Sequence, residues 1–274
     1  MTETSTTITP KGTTPLRNSV WNALGSTMLG LNTFILLMLV SRFFDVATVG
    51  AFGIALTTAQ LLYFVGLFGV DNYQMTDFKE QFSFSGYYWT RIITSSLMMV
   101  ICLIAVVISS GEPQKSLFIL LLTLFYLLNL IGDLYQRLFF QKNRLDMSGK
   151  ALFFRTAFSS LIFTVMIMLG VSIEVSLVYF LVVNLICTWI WDLVPARHFV
   201  PNKKVFSLGE IIAILNACLP LFISILLMNV IFNLSKYGIA FILDDAAQGW
   251  YNMLFIPTQV IGLISSFIFM PLFN

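Results

Sequence analysis

Histidine is nearly absent from this chain, cysteine is scarce and charge is thin. His198 is the only histidine among 274 residues, which argues against histidine-based catalysis and against a zinc centre. Cys102, Cys187 and Cys218 are odd in number and lie in apolar runs. They read as small buried hydrophobes, with neither a disulfide framework nor metal-ligand spacing. Charged residues make up 10% of the chain, against about 25% in soluble domains. Together with 58% apolar residues and a mean hydropathy of +0.89, this calls for lipid as the solvent. The net charge of +2 carries little as a total, and no cofactor or nucleic-acid partner is expected.

What charge there is clusters. Gly132–Arg155 holds Arg137, Lys142, Arg144, Lys150 and Arg155, a third of all Lys and Arg, between two long apolar runs. Such a basic island reads as a cytoplasmic loop. A span needs roughly 20 apolar residues. The sequence predicts eight, Val20–Val40, Val49–Val70, Trp89–Ser109, Ser116–Leu134, Ala151–Val171, Val175–Leu193, Ile211–Leu234 and Trp250–Leu272. With the N-terminus inside, twelve basic residues fall on the cytoplasmic side and only Arg42, Lys115 and Lys236 outside. The external loops, 41–48, 110–115, 172–174 and 235–249, are too short to hold a catalytic constellation, so no enzyme is expected.

An internal repeat is visible. Asn22-Ala23 and Ser41-Arg42 recur as Asn216-Ala217 and Ser235-Lys236, an offset of 194. After a five-residue insertion, Asp45, Ala47, Gly50 and Gln60 recur as Asp244, Ala246, Gly249 and Gln259, an offset of 199. Spans seven and eight thus read as a parallel repeat of spans one and two, the pattern of two-lobed transporters. The expected organisation is a disordered cytoplasmic tail (1–18), a six-helix lobe (19–194), a cytoplasmic linker (195–210) and the first two helices of a second, incomplete lobe (211–274). The expected fold class is an all-α integral membrane protein of about eight helices, and Asn274, right after the eighth span, leads to the expectation of a partial chain of a twelve-to-fourteen-helix transporter.

Polar residues inside spans are costly and ask for a reason. Tyr126, Asn129, Asp133 and Gln136 follow one face of span four, and Asn229, Asn233 and Lys236 one face of span seven. Asn22 and Thr33 in span one, Gln60 in span two, Asn184 in span six and Gln259 in span eight complete the set. One reading is glue between helices; the other is a shared hydrated cavity. Arg91, beside Tyr87, Tyr88 and Trp89, reads as a snorkelling interfacial residue. Arg155 could snorkel too, face the cavity, or pair with Asp133 or Asp192, and Asp133 stands four residues before Arg137, the order that favours a helical ion pair. The substrate-facing candidates are Asn22, Gln60, Asn129, Asp133, Arg155, Asn184, Asn233, Lys236 and Gln259, with Arg155 and Lys236 as phosphate holders.

The segment SRFFDVATVGAFGIALTTAQ resembles the motif of polysaccharide-type flippases in the multidrug/oligosaccharidyl-lipid/polysaccharide exporter superfamily. An Arg ending span one, a short acidic turn and Gly-aromatic-Gly opening span two correspond to Arg42, Asp45, Gly50, Phe52 and Gly53. Asp45-Val46-Ala47 stands where members usually carry Gly-Pro. GLFGVDNYQ and SKYGIAFILDDAAQGWYNM extend the resemblance. It implies a bacterial plasma-membrane flippase for undecaprenyl-pyrophosphate-linked oligosaccharide repeats, with membrane lipids and polysaccharide-assembly proteins as its other partners. Rival readings are a cation-coupled antiporter of the same superfamily, a membrane sugar polymerase or ligase, and a structural or chaperone role.

Cysteines introduced at Asn143 and Gly111 in a cysteine-free background should label oppositely with an impermeant thiol reagent. Labelling of position 143 from outside intact cells would overturn the topology.

Overall fold

The computed structural model describes residues 15–77, 79–109, 111–142, 144–200 and 205–269, with side chains over 17–258 of these stretches and at 261 and 262. Its elements are α1 (Pro15–Phe43), α2 (Val46–Leu67), α3 (Val70–Thr76), α4 (Phe84–Ile108), α5 (Pro113–Gln141), α6 (Leu145–Met168), α7 (Ile173–Cys187), a π-helical stretch (Thr188–Leu193), α8 (Val194–Ala196), α9 (Leu208–Ile242) and α10 (Asp245–Phe269). No strand occurs among the described residues. Seven helices are long and apolar enough to cross a membrane, α7, the π stretch and α8 forming one of them. The chain is therefore a multi-pass helical membrane protein. The eighth expected span falls on α10, part of whose side chains lie outside the described residues.

Helices outrun the expected spans because backbone hydrogen bonding continues where hydrocarbon ends. A helix of 29 residues, such as α5, is about 43 Å long, against an apolar core of about 30 Å. Gly132–Arg155 is consequently no loop: α5 runs to Gln141 and α6 starts at Leu145, leaving a short turn between them. The segment 235–249 is likewise mostly helix, as α9 continues to Ile242 and carries Pro220 within it. The second span ends earlier than Val70. Phe68 (φ 51°) and Gly69 (φ 70°) take left-handed conformations, stop α2 at Leu67 and start α3 in a new direction.

α2 and α5 form the centre of the bundle, with α1, α4, α6 and α7 around them and α9 and α10 against α2. Phe52, Ala55, Ala59, Leu122, Phe125 and Leu130 supply much of the core between them. The faces turned outward carry Val100, Leu103, Ile104 and Val107, the pattern expected against lipid. The three cysteines are free and buried, as their apolar settings indicated.

The repeated segments meet each other. Asp45 caps α2 through the Thr48 N–H (3.1 Å), and Asp244 accepts from the Ala247 N–H (2.8 Å) at the start of α10. The Thr48 bonds hold the exposed Asp45 carboxyl below its ordinary pKa, so this cap is complete near neutrality and weakens as acid protonates it. A Cβ on Gly50 would lie 1.8 Å from the Asp245 carbonyl oxygen, and one on Gly249 2.0 Å from that of Val46. These two contacts exchange under the 199-residue offset, as they must in an interface related to itself by a two-fold axis. Two further ties hold α9 and α10 to the bundle. At the end bearing the α5–α6 turn, Glu210 accepts from Ser83 Oγ (3.0 Å) and from its N–H. At the opposite end Lys115 pairs with Asp245 (2.9 Å).

Gly50→Ala should lower the melting temperature of the detergent-solubilised protein by several degrees, whereas Gly238→Ala, with nothing within 4 Å of its Cβ, should leave it unchanged. Equal behaviour of the two variants in a size-exclusion thermal assay would contradict the close α2–α10 packing.

Candidate functional site: buried charges and a polar intramembrane cavity

The left-handed break after α2 leaves helix-terminal carbonyls without intrahelical partners. Arg91 on α4 fills them, its Nη1 donating to Gly66 O (3.2 Å) and Leu67 O (3.3 Å), and Thr94 Oγ1 adds a bond to Gly66 O (2.8 Å). The same guanidinium pairs with Asp133 of α5 (3.3 Å). Arg91 therefore does not snorkel: it is 3% exposed, because a carboxylate and a helix C-terminus offer it more inside the lobe than the interface does. Arg137 completes the cluster, donating from Nε to Asp133 (2.9 Å) as the four-residue spacing indicated, with Asp71 of α3 3.8 Å from its Nη2. Burial and the neighbouring Asp133 carboxylate raise the Asp71 pKa.

A second charge centre lies beside it. Arg155 of α6 pairs with Asp192 (3.0 Å), and Gln136 Nε2 donates to the other carboxylate oxygen (2.8 Å). Of the two partners the sequence offered, Asp192 is the one within reach. Eight α-helical steps from Asn184 would carry Asp192 about 80° around the helix. The wider turn of the π stretch takes back part of that rotation and keeps Asn184, Thr188 and Asp192 all buried. Gly132 admits the guanidinium, since a Cβ there would sit 1.8 Å from Arg155 Nη1.

A third feature is a cavity of about 250 Å³ bounded by α1, α2, α5 and α9. Asn32, Thr33, Gln60, Tyr63, Tyr126, Asn129 and Asn229 supply its polar and aromatic lining. Gln60 Nε2 donates to Thr33 Oγ1 (3.2 Å), and Tyr126 stands beside them in the lining. Tyr63 and Tyr126 pack with ring centroids 5.0 Å apart.

Of the expected site residues, Gln60 and Asn129 meet in this cavity. Asn233, half-buried, donates to Asn229 O (2.9 Å) one turn along the same α9 face. Lys236 continues that face, 8% exposed, with its Nζ 5.1 Å from the Phe255 ring centroid. No carboxylate among the described residues lies within pairing distance of it. Asp133 and Arg155 are enclosed in the ion pairs already given and do not line the cavity. Asn184 is fully buried with neither amide atom partnered. Asn22 is half-buried on α1, where the backbone of Trp21 and Asn22 packs on Gly149 of α6. The Gln259 side chain lies outside the described residues. Asn32 and Tyr63 were not anticipated, although Gln60/Tyr63 and Tyr126/Asn129 share an i, i+3 spacing that puts each pair on one face.

These features define a helical membrane protein with a polar, uncharged cavity in its interior and one enclosed cation without a carboxylate partner among the described residues. The chain belongs to the polysaccharide biosynthesis protein family, whose model matches residues 16–273. Neither a curated protein nor a solved structure gives a significant match. Family membership places the chain in polysaccharide synthesis or export.

Removing one member of a buried pair strands the other, a loss of about 3–5 kcal/mol. Arg155→Gln should therefore lower thermal stability sharply, and Arg155→Gln/Asp192→Asn should recover most of it. A single variant as stable as the parent would show the pair to be dispensable for packing.

Proposed function

We propose that the protein moves lipid-linked oligosaccharide repeat units from the inner to the outer leaflet of a bacterial plasma membrane for cell-surface polysaccharide assembly. In this reading it transports and makes or breaks no bond. Residues 19–194 act as the first lobe, 195–210 as the linker and 211–274 as the start of the second, with the N-terminus in the cytoplasm. The exchange of contacts between Gly50 and Gly249 supports this division.

Lys236 carries the proposal. A buried charge without a partner is costly, so an enclosed ammonium without a carboxylate calls for an anion from elsewhere. The pyrophosphate of a lipid-linked sugar is such an anion. Along α9, Lys236 lies seven residues from Asn229, about 10 Å at 1.5 Å per residue, so a phosphate at Lys236 would leave the attached sugar near the cavity. Gln60, Asn129 and Asn233 then lie along the substrate's path, while Asp133 and Arg155 hold the first lobe in shape. A cation-coupled exporter would call for a deep carboxylate free to bind its ion, but Asp133 and Asp192 are already held by arginines, and Asp71 stands 3.8 Å from Arg137 near the end of α2.

Deletion of the gene in its parent bacterium should strand polyprenyl-pyrophosphate-linked oligosaccharide in the inner leaflet and strip the surface polymer. Restoring it as Lys236→Gln should fail to relieve this at normal protein levels, and Lys236→Arg should relieve it in part, since the charge survives. Unchanged surface polysaccharide after deletion would end this reading.

A further inference from the structure

The cavity between α1, α2, α5 and α9 has a chemistry of its own. Each of its three asparagines has one end of its amide engaged within the protein. Asn32 Oδ1 accepts from Ser160 Oγ (2.8 Å), Asn129 Nδ2 donates to Phe125 O (3.1 Å), and Asn229 Nδ2 donates to Ile225 O (2.8 Å). The opposite ends, Asn32 Nδ2, Asn129 Oδ1 and Asn229 Oδ1, have no partner among the described residues. All three residues line the cavity, so these amide ends are the ones left to an occupant. One free donor and two free acceptors therefore face a space inside a membrane protein, where open amide groups are costly unless met. Asn32 and Asn129 are 3% and 4% exposed, which makes the site a built one rather than a surface dent.

Two further properties narrow the occupant. No charged side chain lines the cavity, so a carboxylate or phosphate placed there would be desolvated without compensation. Phe64, Phe125 and the Tyr63–Tyr126 pair supply flat apolar surface beside the amides. Hydroxyl-matching groups on one side and ring faces on the other suit a molecule with hydroxyls at its rim and C–H groups on its faces. The volume of about 250 Å³ equals about eight waters at ~30 Å³ each, room for one such ring.

We infer that this cavity is a subsite for a single neutral sugar ring, neutral hexose or N-acetylhexosamine, and that it rejects sugars bearing a carboxylate. The biological setting rests on the transport reading, but the test does not measure transport. In phospholipid nanodiscs, which avoid glycosidic detergents, saturation-transfer NMR should detect methyl β-glucoside or methyl N-acetyl-β-glucosaminide on the protein and give no signal with methyl β-glucuronide. Asn129→Leu should weaken neutral-glycoside binding about tenfold, the effect of one lost buried hydrogen bond. Asn229→Leu should do the same, and the side-chain bond it removes, to Ile225 O, lies within α9, so folding should survive. Equal signals from glucoside and glucuronide, no signal from either neutral glycoside, or parental binding by both folded variants would each overturn the inference. Glycoside binding with unchanged surface polysaccharide after gene deletion would sustain the subsite while ending the transport reading. Stranded repeat units without glycoside binding would do the reverse.

Discussion

A carboxylate surrounded by helices and hydrocarbon is tolerable only if its charge is answered at contact distance, and Asp133 is answered twice. Arg91 reaches it from α4 and Arg137 from its own helix. Through Arg91 the same centre holds the carbonyl end of α2, and through Arg137 it approaches α3. Four elements thus converge on one side chain. Replacing any member would leave its partners charged and buried, so the cluster fixes how α2, α4 and α5 stand relative to one another. The Arg155–Asp192–Gln136 group does the same for α5, α6 and the end of α7.

These pairings determine what remains for a ligand. Arg91, Arg155 and Lys236 are the buried cations among the described residues, and the first two are held by aspartates. Lys236 stands apart on α9, along the face that leads through Asn233 to Asn229 and the uncharged cavity. A lone ammonium and uncharged amides therefore occupy separate positions along one helix. A pyrophosphate-linked sugar has the same separation built into it.

Close packing at Gly50, Gly53 and Gly249 brings α10 onto α2 with backbone nearly in contact. Small residues permit such an approach in a membrane, where dispersion and hydrogen bonds replace the hydrophobic effect between helices. Glu210 of α9 at one end and Asp245 of α10 at the other tie these two helices to α4 and α5 through polar contacts.

Much of this was legible in the residues. Apolar runs of membrane length, buried free cysteines, the Asp133–Arg137 spacing and the repeated Asp–Gly register are local or periodic signals. Hydrocarbon forces them, because every backbone group must be satisfied within a helix. Gln60 and Asn129 were also visible as polar residues where polarity is costly. Side-chain pairing across helices was not. Arg91 and Asp133 are 42 positions apart, Arg155 and Asp192 37, and Asn32 and Ser160 128. The sequence read Arg91 as interfacial because its neighbours are aromatic; the left-handed turn at Phe68 and Gly69 gave it carbonyls to bind instead. The chain alone thus determined which segments enter the membrane and which residues are costly there. Only tertiary structure decided which charges cancel and which remain open to a ligand, because that depends on distances of a few ångströms between helices far apart in sequence.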